Sequence, residues 1–454
     1  MRRLLFLGLL LAATPGLANG RYPSAAQLAR DPADPQHFVV QTTYGFLQST
    51  DGGQTWHWIC EVSVGYDGQE DPFIGILANS SILAATSQGL SLSADHGCGW
   101  AKIAAPEYLG RLPAIDLIVD PQDPKHAIVL DVSEDQQHHQ LMATHDNGMT
   151  WTQLGDALPN NAEGLTLEFA PSRLTRLYVS ARVGANQDQH AILRSDDGGL
   201  TWVTLPFNPT MLDQNGVPLA ADQTQVLGTY IGAVDPALPD TVWLRVRRSF
   251  NPDQLWRSQD GGVTWQQAFQ SPKGKLFGFA LSPDGKQVAV GATNPQPGMW
   301  RANTADLKFT QLNDMSTYCL KWLDTGLYVC ADEILDGMTI GLSTDNGDHF
   351  TAVHHRDELT QLTCSDTSRT AVLCTKLWPL VAYQLGAGDT TGTPPPAAKG
   401  ACQLARGGSL GGLAAAVVAL IVLLRVRQSK RSARVATRAD GSLSSPLEHG
   451  GTGE

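Results

Sequence analysis

Basic residues are scarce in this chain. Its 454 residues hold 32 Lys and Arg against 44 Asp and Glu, a formal net charge of −12. With Arg2, Arg3 and everything after Cys402 set aside, 23 basic residues face 41 acidic ones. Such a balance disfavours polyanions and argues against nucleic acid or anionic lipid as a ligand of the main domain. No Gly-rich phosphate loop, nucleophile elbow or thiol-redox pair occurs. The histidine pairs His138-His139 and His354-His355 are adjacent. A helical metal site needs i, i+4 spacing, and neighbours on a strand point to opposite faces. No metal site and no cofactor is therefore expected.

Long apolar runs are also few, and both lie at the ends. Arg2 and Arg3 precede an apolar stretch from Leu4 to Ala13 and then Pro15-Gly16-Leu17-Ala18. This order of charged, apolar and small residues reads as a secretory signal over residues 1–18. Residues 407–424 carry no charge and are just long enough to span a bilayer. Arg425, Arg427, Lys430 and Arg431 follow at once, so the N-terminal part is expected outside and the 425–454 tail inside. Residues 386–402, with Pro394-Pro395-Pro396, read as a semi-stiff stalk. Cys402, the Gly-rich span and the Arg cluster resemble the C-terminal sorting signal of many myxobacterial surface proteins. That resemblance implies cleavage or lipid attachment near Cys402 and display at the cell surface.

Seven cysteines in an exported chain suggest disulfides with one left over. Cys319 and Cys330 flank a hairpin-like stretch, and Cys364 and Cys374 another of nearly equal length. Two cross-strand bridges are expected there, with Cys60–Cys98 as a third by elimination and Cys402 as the odd residue.

What the chain does have is a phrase that returns. It reads STDGGQTW at Ser49 to Trp56, SADHGCGW at Ser93 to Trp100, THDNGMTW at Thr144 to Trp151 and SDDGGLTW at Ser195 to Trp202. It recurs as SQDGGVTW at Ser258 to Trp265 and STDNGDHF at Ser343 to Phe350, with a worn copy at Asn303 to Phe309. With the worn copy near residue 305 counted, the aspartates Asp51, Asp95, Asp146, Asp197, Asp260 and Asp345 mark intervals of roughly 40 to 63 residues, the size of a four-stranded propeller blade. Each unit runs strand, Pro turn, strand, loop, strand, phrase, strand. Asp can accept backbone amides, Gly supplies a positive φ, and Trp leaves the turn as an apolar anchor between sheets.

The phrase resembles the Asp-box, or BNR repeat, of bacterial sialidases, some glycan hydrolases, sortilin-type receptors and photosystem assembly factors. The resemblance implies an all-β propeller over residues 21–385, with structural box aspartates and a ligand face opposite the boxes. Seven complete units end near His354. LTQLTCS, TAVLCTKL and PLVAYQL read as three strands of an eighth blade closed by the segment around Arg21 to Ser24. Eight blades are favoured, with seven plus a C-terminal cap as the alternative.

The ligand face is then built from the loops after each second strand and the links between blades. Its candidate residues are Tyr66, Glu70, Asp71, Arg111, Glu134, Asp135, Arg247, Arg248, Phe250, Asp332 and Glu333. A hydrolase needs an acid and a base flanking one bond, and these carboxylates supply the residue types. The Phe/Tyr-Arg-Ile-Pro motif of sialidases is absent. The favoured reading is a monomeric, membrane-anchored propeller that binds a protein or glycan at the bacterial surface. The alternatives are a sialidase-like glycoside hydrolase and an assembly factor for a membrane complex. Convergence of two carboxylates and an arginine over the channel would favour the enzyme.

Overall fold

A computed structural model describes residues 22–388 other than 213–216, 220–224 and 250–251. The signal segment, Cys402, the apolar run 407–424 and the basic tail lie outside the described residues. No described helix is long and apolar enough to cross a membrane.

Seven four-stranded antiparallel sheets are formed, each from one continuous stretch of chain. Their innermost strands are Ala25–Arg30, Phe73–Ile76, Ala114–Val119, Glu163–Ala170, Val226–Val234, Leu276–Leu281 and Cys319–Leu323. Consecutive innermost strands touch around the ring, and that of blade 7 lies against that of blade 1. The middle strands explain why runs such as FVVQT (Phe38–Thr42) and ILAAT (Ile82–Thr86) are continuously buried. A middle strand has a neighbouring blade on each face, so apolar residues need not alternate with polar ones.

The core is accordingly divided into seven apolar clusters, one at each blade interface. The aromatic that closes each repeat always packs towards the preceding blade. Trp56 joins the blade 7–1 cluster, Trp100 the 1–2 cluster and Trp151 the 2–3 cluster. Trp202, Trp265, Phe309 and Phe350 continue the series.

The repeated turn has one geometry. In blade 1 the Ser49 hydroxyl donates to Asp51 Oδ1 at 2.7 Å and accepts the Gly53 amide at 2.9 Å. The Thr55 amide donates to Asp51 Oδ1 at 2.9 Å, its hydroxyl donates to Oδ2 at 2.6 Å, and Trp56 Nε1 donates to Gly53 O at 3.0 Å. The two residues after the aspartate are both left-handed: φ is 77° and 91° at Gly52-Gly53, 60° and 81° at Asn147-Gly148, and 64° and 98° at Asn346-Gly347. That is why Gly, Asn or His fills the first place and Gly alone the second.

Among the described residues an eighth blade is not formed. The segment given to it instead makes a clasp across blades 1 and 2. Thr360–Gln361 adds a parallel fifth strand to the outer edge of blade 1. TAVLC lies in a helix rather than a strand, and so does PLVAYQL. Among the helices, α1 (Glu61–Val64) follows the last strand of blade 1 and α2 (Glu333–Asp336) lies in blade 7. They are followed by α3 (Arg369–Cys374) and α4 (Trp378–Leu385). The Ser368 hydroxyl caps α3 by accepting the Ala371 amide, Pro379 sits in the first turn of α4, and Gly386 ends it at φ 84°. α4 joins the blade 7–1 core, with Trp378 5.7 Å from Trp58.

The disulfides follow this geometry. Cys319 pairs with Cys330 across the first hairpin of blade 7. The expected Cys364–Cys374 and Cys60–Cys98 pairs are corrected to Cys98–Cys364 and Cys60–Cys374. Cys364 and Cys374 flank a turn and a helix, which offer no cross-strand partner, so each reaches back to an earlier blade.

Candidate functional site

Strand order fixes two faces. The box turns dock on the first turn of their own blade, as in Gly52 N–H to Gln36 O and Gly261 N–H to Asp240 O, both 2.9 Å. The opposite face carries the loops after the second strands and the inter-blade links. At the channel mouth on that face lies a cavity of about 410 Å³. Asp71, Glu168, Arg247, Phe73, Tyr230 and Phe277 are part of its wall, together with Gln27, Asp116, Arg245 and Asp253.

Each side chain is placed by its element. Asp71 ends the long link from blade 1 to blade 2 and accepts the Gln41 amide at 3.0 Å. Phe73 and Phe277 begin or lie near the start of innermost strands and stay 36% and 42% exposed, although both are large apolar residues. Arg247, at the top of Val242–Arg248, is exposed, and its side chain has no hydrogen bond or ion pair among the described residues. Arg245, two residues earlier on the same face of the strand, lies 5.6 Å over the Tyr230 ring and donates to Phe277 O at 2.6 Å. Asp253 is buried and accepts the Arg248 and Leu276 amides and the Lys275 ammonium, so it holds the loop rather than facing a ligand.

Glu168 sits deeper, on the innermost strand of blade 4. It also lines a second cavity of about 510 Å³ that opens among the Pro turns on the box face. Glu168, Gln27, Leu117 and Ile118 border both spaces, which places Glu168 at the waist of the channel. Burial, reinforced by the nearby Asp116 charge and opposed by Lys321, pushes its carboxyl up to about 8. Asp116 is pushed up to about 7 by burial, despite accepting the Leu117 and Leu167 amides at 2.8 Å each. It stitches blade 3 to blade 4. Among the described residues, no cluster of three His, Cys, Asp or Glu side chains is placed to hold a metal ion.

Of the residues nominated from sequence, the cavity gathers Asp71 and Arg247. Tyr66 is buried in the blade 1–2 interface, 6.0 Å from Phe46, and Glu70 accepts the Ser87 amide at 2.6 Å. Arg111 is exposed, 3.9 Å from Glu107. Glu134 is exposed, and Asp135 accepts the Ser133 hydroxyl and the Gln137 amide within its own turn. Arg248 is buried and reaches Pro252 O. Asp332 caps α2 and accepts the Tyr22 hydroxyl at 2.6 Å, while Glu333 accepts from Thr339 and pairs with His355. Phe250 lies outside the described residues. Glu168, Asp116 and Arg245 were not nominated. Their signal was present: each is a charged residue inside an apolar strand run, GLTLEFA, AIDLIV and VWLRVR, where an unpaired charge is costly.

No family model matches the chain. A xyloglucanase from a Paenibacillus species is 24% identical to it over 304 residues, covering 54% of this chain and 26% of that protein. Xyloglucanase Xgh74A of Acetivibrio thermocellus is 26% identical over 183 residues, covering 36% of this chain and 21% of that protein. Among solved structures, an ancestral GH74 enzyme superposes with a TM-score of 0.52 at 13% identity, over 74% of this chain and 46% of that one, a likeness of fold. The chain spans about a quarter of the length of the curated relatives it matches. These relatives overturn the expectation of a protein- or glycan-binding surface module and side with the glycoside hydrolase alternative.

Proposed function

We propose that the chain is a glycoside hydrolase propeller whose mouth engages a neutral polysaccharide of the xyloglucan class. The observation that carries this reading is the meeting of Asp71, Glu168, Arg247 and exposed aromatic rings around one cavity. Hydrolysis with inversion needs one protonated carboxyl to hand a proton to the leaving oxygen and one carboxylate to take a proton from water. Glu168 is suited to the first role because burial raises it to about 8, keeping it protonated at neutral pH. Asp71, exposed at the rim, is suited to the second. Phe73, Tyr230 and Phe277 offer apolar faces for sugar rings, and Arg247 is available to hydrogen-bond hydroxyls.

The xyloglucanase relatives support the substrate class, and three disulfides support an oxidising, exported setting. The test is release of reducing ends from xyloglucan by the purified chain, with Asp71→Asn and Glu168→Gln as controls. Release that persists unchanged in both variants contradicts the assignment.

A further inference from the structure

The C-terminal clasp does more than cover an edge, because of where it grips. The link from the outermost strand of blade 1 (His57–Ile59) to the innermost strand of blade 2 (Phe73–Ile76) runs from the rim of the ring to its channel. α1 is at the rim end of this link and Asp71 is at the channel end. The clasp holds the rim end and the turn beside it. Cys374 is bonded to Cys60, the residue before α1. Arg369 Nε donates to Ser63 O at 2.7 Å, and its Nη2 donates to Val62 O at 3.1 Å. The Thr370 hydroxyl lies 2.6 Å from that of Ser63 and also 2.6 Å from Gly97 O, and its amide donates to Cys98 O at 3.0 Å. Cys98 is in turn bonded to Cys364.

The rest of the link hands this anchorage inward. Gly65 ends α1 at φ 102°, a left-handed turn, and the next residue, Tyr66, is buried against Phe46. Glu70 is then held on the Ser87 amide and Asp71 on Gln41. Every carbonyl of α1 that Arg369 takes is one that so short a helix leaves without an internal partner. The clasp therefore supplies what α1 lacks to hold its shape alone.

We infer that the clasp is a positioning device for the Asp71 link, with Arg369 and Thr370 as positioning residues and the Cys60–Cys374 bond as the latch. The mouth then takes its working shape only when the C-terminal segment is seated on blades 1 and 2. The role assigned to Asp71 rests on the hydrolase reading; the mechanical claim does not.

Two variants of the full chain test it: Arg369→Ala, which leaves all disulfides in place, and Cys60→Ser with Cys374→Ser. Amide hydrogen exchange over residues 61–72 should quicken about tenfold or more in each, with exchange in the middle strands of blade 5 unchanged. On xyloglucan, kcat/KM should fall about 10- to 100-fold, as displacement of a reacting group by an ångström does. Unchanged exchange over residues 61–72 in Arg369→Ala overturns the inference, whether or not the double serine variant folds. Quickened exchange with unaltered kcat/KM overturns the claim that the clasp gives the mouth its working shape. An inactive wild-type chain counts against the hydrolase reading, and the exchange result then judges the clasp by itself.

Discussion

At the scale of single residues, two buried carboxyls, Asp116 and Asp131, and the half-buried Glu168 set the behaviour with pH. Glu168 and Asp131 are each raised to about 8 and Asp116 to about 7, in all three cases by burial first. Among the described residues Asp131 Oδ1 has no hydrogen-bond partner, and its other oxygen meets the Gln140 amide only at 3.5 Å. A folded-state value above the unfolded one means that the unfolded chain ionises first. Stability is then full below about pH 4 and declines as pH rises towards 8, by at most ~1.4 kcal/mol per unit for each group. Asp131→Asn should flatten this decline, so its melting temperature should exceed that of wild type increasingly from pH 5 to pH 8. Equal slopes in thermal melts would show that Asp131 ionises freely in the folded chain. The same logic applied to Glu168 makes kcat/KM fall above about pH 8, where the proton donor is lost. Glu168→Gln should cost about 10²- to 10⁴-fold in kcat with little change in KM. Arg247→Ala should instead raise KM, since the exposed Arg247 side chain has no hydrogen bond or ion pair among the described residues.

At the scale of elements, the box turn is a side-chain cap for a tight reversal. The Thr150 and Thr201 hydroxyls and amides hold Asp146 and Asp197 down to about 2. A lowered value stabilises the fold above the unfolded value near 4 and loses that contribution as pH falls towards 2. Asp197→Ala should lower stability by about 1 kcal/mol at pH 7, the ordinary worth of a lost side-chain cap, and by much less at pH 2. Denaturant melts at the two pH values check this.

Elements also show how far the sequence could be read. Box turns and blade strands were legible because φ signs and two-sided burial constrain composition directly: paired left-handed residues demand Gly, Asn or His, and middle strands demand apolar runs. The clasp was not legible as helix. TAVLC and PLVAYQL are short apolar runs that suit a strand as well as a helix. The deciding residues were Ser368, Pro379 and Gly386, which mark a cap, a start and a stop. Half of the candidate site was legible. Loop position pointed to Asp71 and Arg247, but Glu168 needed a known ring to show that an inner-strand residue faces a channel.

At the scale of the whole molecule, no strand among the described residues is exchanged between the first and last blades. Closure falls to the packing of blade 7 on blade 1, to α4 in their shared core, and to two bonds joining residues 314 and 266 apart in sequence. Loops of that length give a cross-link close to its largest effect on the unfolded chain, up to about 5 kcal/mol. Replacing Cys98 and Cys364 by serine should therefore cost about 2–5 kcal/mol in reversible unfolding, more than the same change at the short Cys319–Cys330 hairpin. Equal losses at the two sites would mean that the long bridges do not restrain the open chain. The most direct test of the central claim is reducing-end release from xyloglucan by the full-length chain, assayed beside Asp71→Asn. The account predicts steady release by wild type and a loss of about 10²-fold or more in the variant. No release by a folded wild-type chain, or equal release by both, would contradict it.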